Sequence, residues 1–128
     1  MRLLLDTHVA LWALVDSPRL SAHARELILE PVNEVWVSAG SVWEIAIKHG
    51  LGRGDMPVSG EEALAWFRRA GYRLLPIAPE HAAAVGTLPP IHGDPFDRLL
   101  VAQARIEPFR LLSANPQVVL YGEGIVRV

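Results

Sequence analysis

The sequence predicts an α/β fold, a three-layer sandwich with a mainly parallel sheet of four to five strands between two layers of helices. Three observations predict it. Short apolar runs of strand length alternate with longer stretches whose apolar positions recur at helical spacing. Caps and stops, chiefly Ser, Asp, Gly and Pro, fall at the boundaries between them. Strands separated in this way by helices pair in parallel through right-handed crossovers, which place helices on both faces of the sheet.

Arg2 to Leu5 is an apolar run ending at Asp6, followed from His8 to Val15 by helical spacing, so a strand leads into a helix with Asp6 at the junction. Ser17-Pro18 breaks the segment. Ser21 opens a second helix through Leu29, which Pro31 stops, and Glu34 to Val37 is the second strand. Ser38 or Ser41 caps a helix that ends at Gly50 in the loop LGRGDMP. A helix from Glu61 to Ala70, a strand from Tyr72 to Ile77 and a short helix from Glu80 to Thr87 follow. After LPPIHG, Asp94 caps a helix with Pro95 at its first position, running to Ile106. Arg110 to Ser113 is a strand, and Val118 to Tyr121 and Ile125 to Val128 are expected to be short strands or an extended tail.

At 128 residues, the chain is expected to form one domain over residues 1–128. With 51% hydrophobic and 20% charged residues it reads as globular, not disordered. The absence of cysteine removes disulfide scaffolds, thiolate zinc sites and cysteine nucleophiles, and fits a reducing, cytoplasmic location. Asp6 and His8 interrupt the apolar N-terminus after three leucines, so neither a signal peptide nor a membrane span is expected. A net charge of −2 gives no global attraction to nucleic acid; such a role needs a local basic rim, for which Lys48, Arg53, Arg68, Arg69 and Arg73 are available. A solvated helix face is the preferred reading of Arg68 and Arg69.

In parallel sheets ligands bind beyond the carboxyl ends of the strands, where Asp6 and the segment Ser113-Ala114-Asn115 both fall. Asp6 could merely cap a helix, Ser41-x-x-Glu44 has the spacing of a capping box, and Asp94 with Asp97 is a cap plus a first-turn anion. Together they bring carboxylates from three segments to helix N-termini. Were they to converge, mutual repulsion would be offset by a divalent cation, and an all-oxygen donor set suits Mg²⁺ or Mn²⁺. Such a cation activates water and stabilises a phosphoryl group. No Ser-His-Asp order and no phosphate-binding Gly-rich loop is present. Trp12, Trp43 and Trp66 are expected in core or interface packing.

The order LLLDTHVALW, VSAGSVWEIAIK, HGDPFDRLLVAQA and LLSAN closely resembles the PIN-domain ribonucleases, in particular the VapC toxins of bacterial VapBC toxin–antitoxin pairs. The resemblance covers essentially the whole chain. It implies a metal-dependent RNA hydrolase in which Asp6, Glu44 and Asp97 hold Mg²⁺ or Mn²⁺, with Asp94 either a helix cap or a further contributor to the site. Thr7 and Ser113 stand beside the acids to orient water or a phosphate, although a hydroxyl near a helix start is more often a cap, and Asn115 could ligate Mg²⁺ or hold a water; the basic residues Lys48 and Arg53 are available for RNA contact, with a solvated face as the alternative. It also implies a homodimer, a VapB-type antitoxin as partner and RNA as substrate, transfer RNA being the family's commonest target. One departure stands out: Asn115 occupies the place of the family's fourth acid. That motivates an alternative, a catalytically weak PIN-fold module that binds RNA or an antitoxin. An aspartyl-phosphate at Asp6 is disfavoured, because no second Asp follows two residues later. His8 and His92 flank the acids, so either could approach the scissile phosphate, though a catalytic role is the disfavoured reading of both.

Overall fold

The computed structural model describes residues 1–128. Five strands, β1 (Arg2–Leu5), β2 (Glu34–Ser38), β3 (Arg73–Leu75), β4 (Arg110–Ser113) and β5 (Ile125–Arg127), form one sheet in the order β3-β2-β1-β4-β5. Every neighbouring pair is parallel, with Leu4 opposite Trp36 on one side and Leu111 on the other. The helices are α1 (Thr7–Leu14), α2 (Ala22–Leu29), α3 (Ala39–Gly50), α4 (Gly60–Arg69), α5 (Pro79–Ala84), α6 (Pro95–Ile106) and α7 (Pro116–Val119). A 3₁₀ turn at Val85–Thr87 extends α5.

The period of two along the strands sorts the core into two layers. Leu3, Leu5, Val37 and Leu112 face one way and pack with Val9, Ala24, Ile45 and Phe67 of α1 to α4. Leu4, Leu75 and Leu111 face the other way and pack with Leu100, Val101, Val118 and Tyr121. β1 is central and its three leucines have no exposed surface, so truncating Leu4 to Ala should cost about 2–5 kcal/mol. The α3–α4 crossing is set by Gly60, where an added Cβ would stand 2.7 Å from Ala46 Cβ.

Three expectations need correction. Val118 to Tyr121 is no strand: Asn115 accepts the Gln117 N–H at 2.9 Å and Pro116 follows, the same cap-then-proline start that opens α6. Ser41 and Glu44 make no capping box, because the cap of α3 is Ser38, and the capping box of that type lies at Ser59 and Glu62 of α4. The third strand is shorter than Tyr72 to Ile77, ending before Pro76, which has no N–H for the ladder.

The chain runs outward from β1 through β2 to β3 and then crosses back to β4 on the other side of β1. That reversal opens a crevice beyond the carboxyl ends of β1 and β4. Asp6 follows one of these strands and Ser113 ends the other. No helix is long and apolar enough to cross a membrane.

Candidate metal centre

Asp6 is buried at the crevice, and its Oδ1 caps α1 by accepting the Val9 N–H at 2.9 Å. Burial raises its carboxyl above the usual range; the Ser113 hydroxyl and the Val9 N–H draw it partly back, and Glu44 raises it further.

Glu44, on α3, is 3% exposed. Its Oε1 lies 2.6 Å from Thr7 Oγ1, and its Oε2 lies 2.5 Å from Lys48 Nζ, one turn along the same helix. Thr7 Oγ1 is also 2.9 Å from Ser41 Oγ. A hydroxyl has one proton, so with that proton given to the carboxylate, Thr7 accepts from Ser41. The second acid therefore arrives in the crevice already oriented.

α6 supplies the rest. Asp94 Oδ1 accepts the N–H of Phe96 at 2.8 Å and of Asp97 at 3.4 Å, which leaves Oδ2 outside the cap. Asp97 Oδ2 lies 2.9 Å from His92 Nε2. Burial pushes the Asp97 carboxyl up to about 6, Asp94 adds to it, the His92 hydrogen bond opposes it, and Asp6 and Glu44 add further. These last two couplings bring the acids of three chain segments into one electrostatic neighbourhood. The one group of three potential ligands whose donor atoms all lie within 4.8 Å of one another is His92, Asp94 and Asp97; Asp6 and Glu44 fall outside it.

Arg98 explains why the loop before α6 holds its shape. Its Nη1 donates to Pro89 O and Tyr121 Oη, each at 3.1 Å, and to His92 O at 3.4 Å; its Nη2 donates to Val85 O at 2.9 Å. Tyr121 Oη in turn accepts the His92 N–H at 3.0 Å. A guanidinium is always charged and offers five donors in a fixed fork, so a single residue ties the turn after α5, the proline loop and α7 to the start of the acidic helix.

The remaining expected site residues fall in different places. Ser113 is fully buried and its Oγ accepts the Asn115 N–H at 3.1 Å, with Asn115 capping α7 as described. Lys48 lies against Glu44 and over the Phe96 ring at 6.0 Å, inside the site, not on an outer rim. Arg53 is exposed and pairs with Asp55, whose other oxygen is 3.6 Å from His8 Nε2, linking the LGRGDMP loop to the start of α1. Arg73 begins β3 at the amino end of the sheet, over Trp36, and therefore lies away from the acids. Trp43 is exposed, packed edge-on to Phe96 beside the acids, with ring centroids 5.0 Å apart.

Sequence reasoning gives Arg98 no role and His92 only a disfavoured one. A charged residue one step behind an acid at the mouth of an apolar helix has to find acceptors nearby, and the adjacent loop LPPIHG supplies bare carbonyls. That was the available signal.

A PIN domain family model matches residues 3–121. Ribonuclease VapC22 of Mycobacterium tuberculosis is 34% identical over 115 residues, covering 88% of this chain and 85% of that protein. The crystal structure of VapBC2 from Rickettsia felis bound to a promoter DNA fragment aligns with a TM-score of 0.67 at 15% identity, over 100% of this chain and 98% of that one. A toxin–antitoxin complex from Klebsiella pneumoniae aligns with a TM-score of 0.61 at 17% identity, over 96% and 94% of the two chains. A buried acid after the first strand, a second on α3 and a third in the first turn of α6, on a parallel five-stranded sheet with this family match, make the chain a member of the PIN domain family.

Proposed function

We propose that the protein is a divalent-cation-dependent endoribonuclease toxin of the VapC type, neutralised by a VapB-type antitoxin. One observation carries the reading: Thr7, directly after Asp6 at the carboxyl end of β1, binds Glu44 Oε1 at 2.6 Å and so ties the first two acids together across α1 and α3, while burial raises both Asp6 and Asp97. Acids gathered without enough positive charge cost stability, which a protein keeps for a use. The relative named as a ribonuclease supports that use and disfavours the purely regulatory alternative.

The donors fit a hard divalent cation, since Asp6, Glu44 and Asp97 offer carboxylate oxygens and the crevice has no thiolate. These three residues would hold Mg²⁺ or Mn²⁺, which when bound supplies an activated water and neutralises charge on the phosphoryl group. The chain's own residues do the positioning. Thr7 and Ser41 fix the Glu44 carboxylate, and the Leu112 carbonyl of the neighbouring strand accepts the Asp6 N–H at 3.0 Å. Lys48 balances part of the negative charge and stands where a phosphate oxygen could meet it. Arg53, exposed on the loop near His8, would contact the RNA backbone. Asp94 positions the start of α6 and thereby Asp97.

The exposed apolar side chains Trp43 and Ile47 of α3, and Val15 after α1, provide surface for the homodimer and antitoxin contacts expected of such a toxin. The structural relatives, themselves toxin–antitoxin complexes, support the antitoxin part of that expectation. The test is incubation of antitoxin-free protein with total small RNA in Mg²⁺ or Mn²⁺, with an EDTA control. Discrete products that vanish in EDTA are expected; identical RNA profiles with and without EDTA would reject the reading.

A further inference from the structure

We propose that His92, Asp94 and Asp97 form a mixed nitrogen and oxygen cation site that shares Asp97 with the Asp6 and Glu44 acids and favours Mn²⁺ over Mg²⁺. The proposal rests on the reading of Asp97 as a cation ligand and adds a ligand that the acids alone do not contain.

Geometry argues for it first. One donor atom from each of the three residues falls within 4.8 Å of the others. Oxygen and nitrogen ligands at about 2.1–2.2 Å from one ion stand about 3 Å apart when adjacent and about 4.3 Å apart when opposite, so the set closes on an ion with small side-chain shifts. The donor atoms are also available. Asp94 caps α6 with Oδ1 alone, and the His92 ring meets Asp97 only through Nε2. His92 and Asp97 side chains are 16% and 17% exposed, enough for retained waters to complete a coordination shell.

The surroundings are built to hold His92 in place. Its N–H is bound by Tyr121 Oη, its carbonyl receives Arg98 Nη1, and the same Arg98 binds Pro89 O and Val85 O. A ligand on a loop pinned at both its N–H and its carbonyl is pre-oriented, as metal ligands require. Across the crevice, Asn115 brings no charge and spends Oδ1 on capping α7. An imidazole shifts preference along the divalent series, because Mg²⁺ takes oxygen ligands almost exclusively whereas Mn²⁺ accepts nitrogen.

Electron spin-echo envelope modulation of Mn²⁺ bound to the antitoxin-free protein tests this directly, because it detects a directly coordinated imidazole nitrogen. Nitrogen coupling is expected in the wild type, lost in His92→Gln and retained in His8→Gln. Calorimetric titration should show Mn²⁺ affinity falling roughly tenfold or more in His92→Gln, with Mg²⁺ affinity nearly unchanged. Circular dichroism of both variants controls for folding. Mn²⁺ bound without nitrogen coupling, or coupling that survives His92→Gln, would overturn this site and leave the oxygen-only centre standing. No Mn²⁺ binding at all would overturn both.

Discussion

Helix α6 carries a histidine–carboxylate pair near each end, and the two do different work. Near the carboxyl end His81, 1% exposed, sits with Nε2 at 2.6 Å from Glu107 Oε2. Its Nδ1 accepts the Ala78 N–H at 2.9 Å, so Nε2 carries the proton and donates to Glu107. Around it, Gln103 donates to Pro76 O at 3.3 Å, and the Arg2 guanidinium donates to the Glu107 carbonyl at 2.5 Å, which brings positive charge to that end. That pair fastens α5 to α6. At the amino end, His92 meets Asp97 at a similar distance, but burial pushes this carboxyl up to about 6, and Asp94, Asp6 and Glu44 add to the shift. The same chemical pair is a latch where a guanidinium stands beside its carboxylate residue, and carries a raised carboxyl where further acids stand beside it.

The largest expected effect tests the acidic end. Asp6→Asn keeps an oxygen to cap α1 and removes only the charge, so RNA cleavage should fall roughly 10³-fold or more, about 4 kcal/mol of transition-state stabilisation, with unchanged circular dichroism. Cleavage within a few fold of wild type would remove Asp6 from the site. The latch predicts the opposite profile. His81→Ala strands the Ala78 N–H and removes one partner of the buried Gln103 and the partner of the Glu107 carboxylate, and should cost about 2–4 kcal/mol in urea unfolding while leaving cleavage by the folded fraction intact. Equal losses of stability and specific activity would erase the distinction between the two ends.

How much of this was readable in the sequence follows the same division. The strands ending at Asp6 and Ser113, and the cap at Asp94 with Pro95, are local: an apolar run, a stop and a capping side chain settle each within a few residues. The identical grammar at Asn115-Pro116 was passed over because the apolar Val118 to Tyr121 reads as a strand when its start signal is ignored. What local pattern could not supply was pairing across distance. Ser41 looked like a cap and instead bonds Thr7, on another helix; Lys48 looked like a rim residue and instead lies on Glu44. His92 and Arg98 gain their roles only once Tyr121 folds back beside them. Charge partners, unlike caps, are chosen by tertiary structure.

Smaller effects sharpen the comparison further. Arg98→Met removes the donors that hold the loop around His92, and should lower cleavage by about 10- to 100-fold with only modest loss of stability. Single-turnover kinetics on a defined RNA would measure it, and full activity would mean that the loop holds itself. Asn115→Asp should change least. The carboxylate can still cap α7, and if His92 and Asp94 serve the cation, an added charge should alter the cleavage rate by no more than about threefold. A large gain in the same assay would instead identify Asn115 as the cause of a weakened site.

The central claim is that carboxylates crowded at the amino end of α6 cost stability unless a cation offsets them. The Asp97 carboxyl is raised from 3.8 to about 6, so the folded state holds that proton more tightly than the unfolded chain does. For this group, stability is greatest below pH 4 and falls as pH rises through about 6, by a deficit on the order of 3 kcal/mol. The most direct test is thermal unfolding of the wild type and Asp97→Asn at pH 8, first in EDTA and then in excess Mg²⁺. In EDTA the variant should unfold at a higher temperature than the wild type, and Mg²⁺ should raise the wild type more than the variant. A variant less stable than the wild type in EDTA, with Mg²⁺ moving neither, would contradict the account.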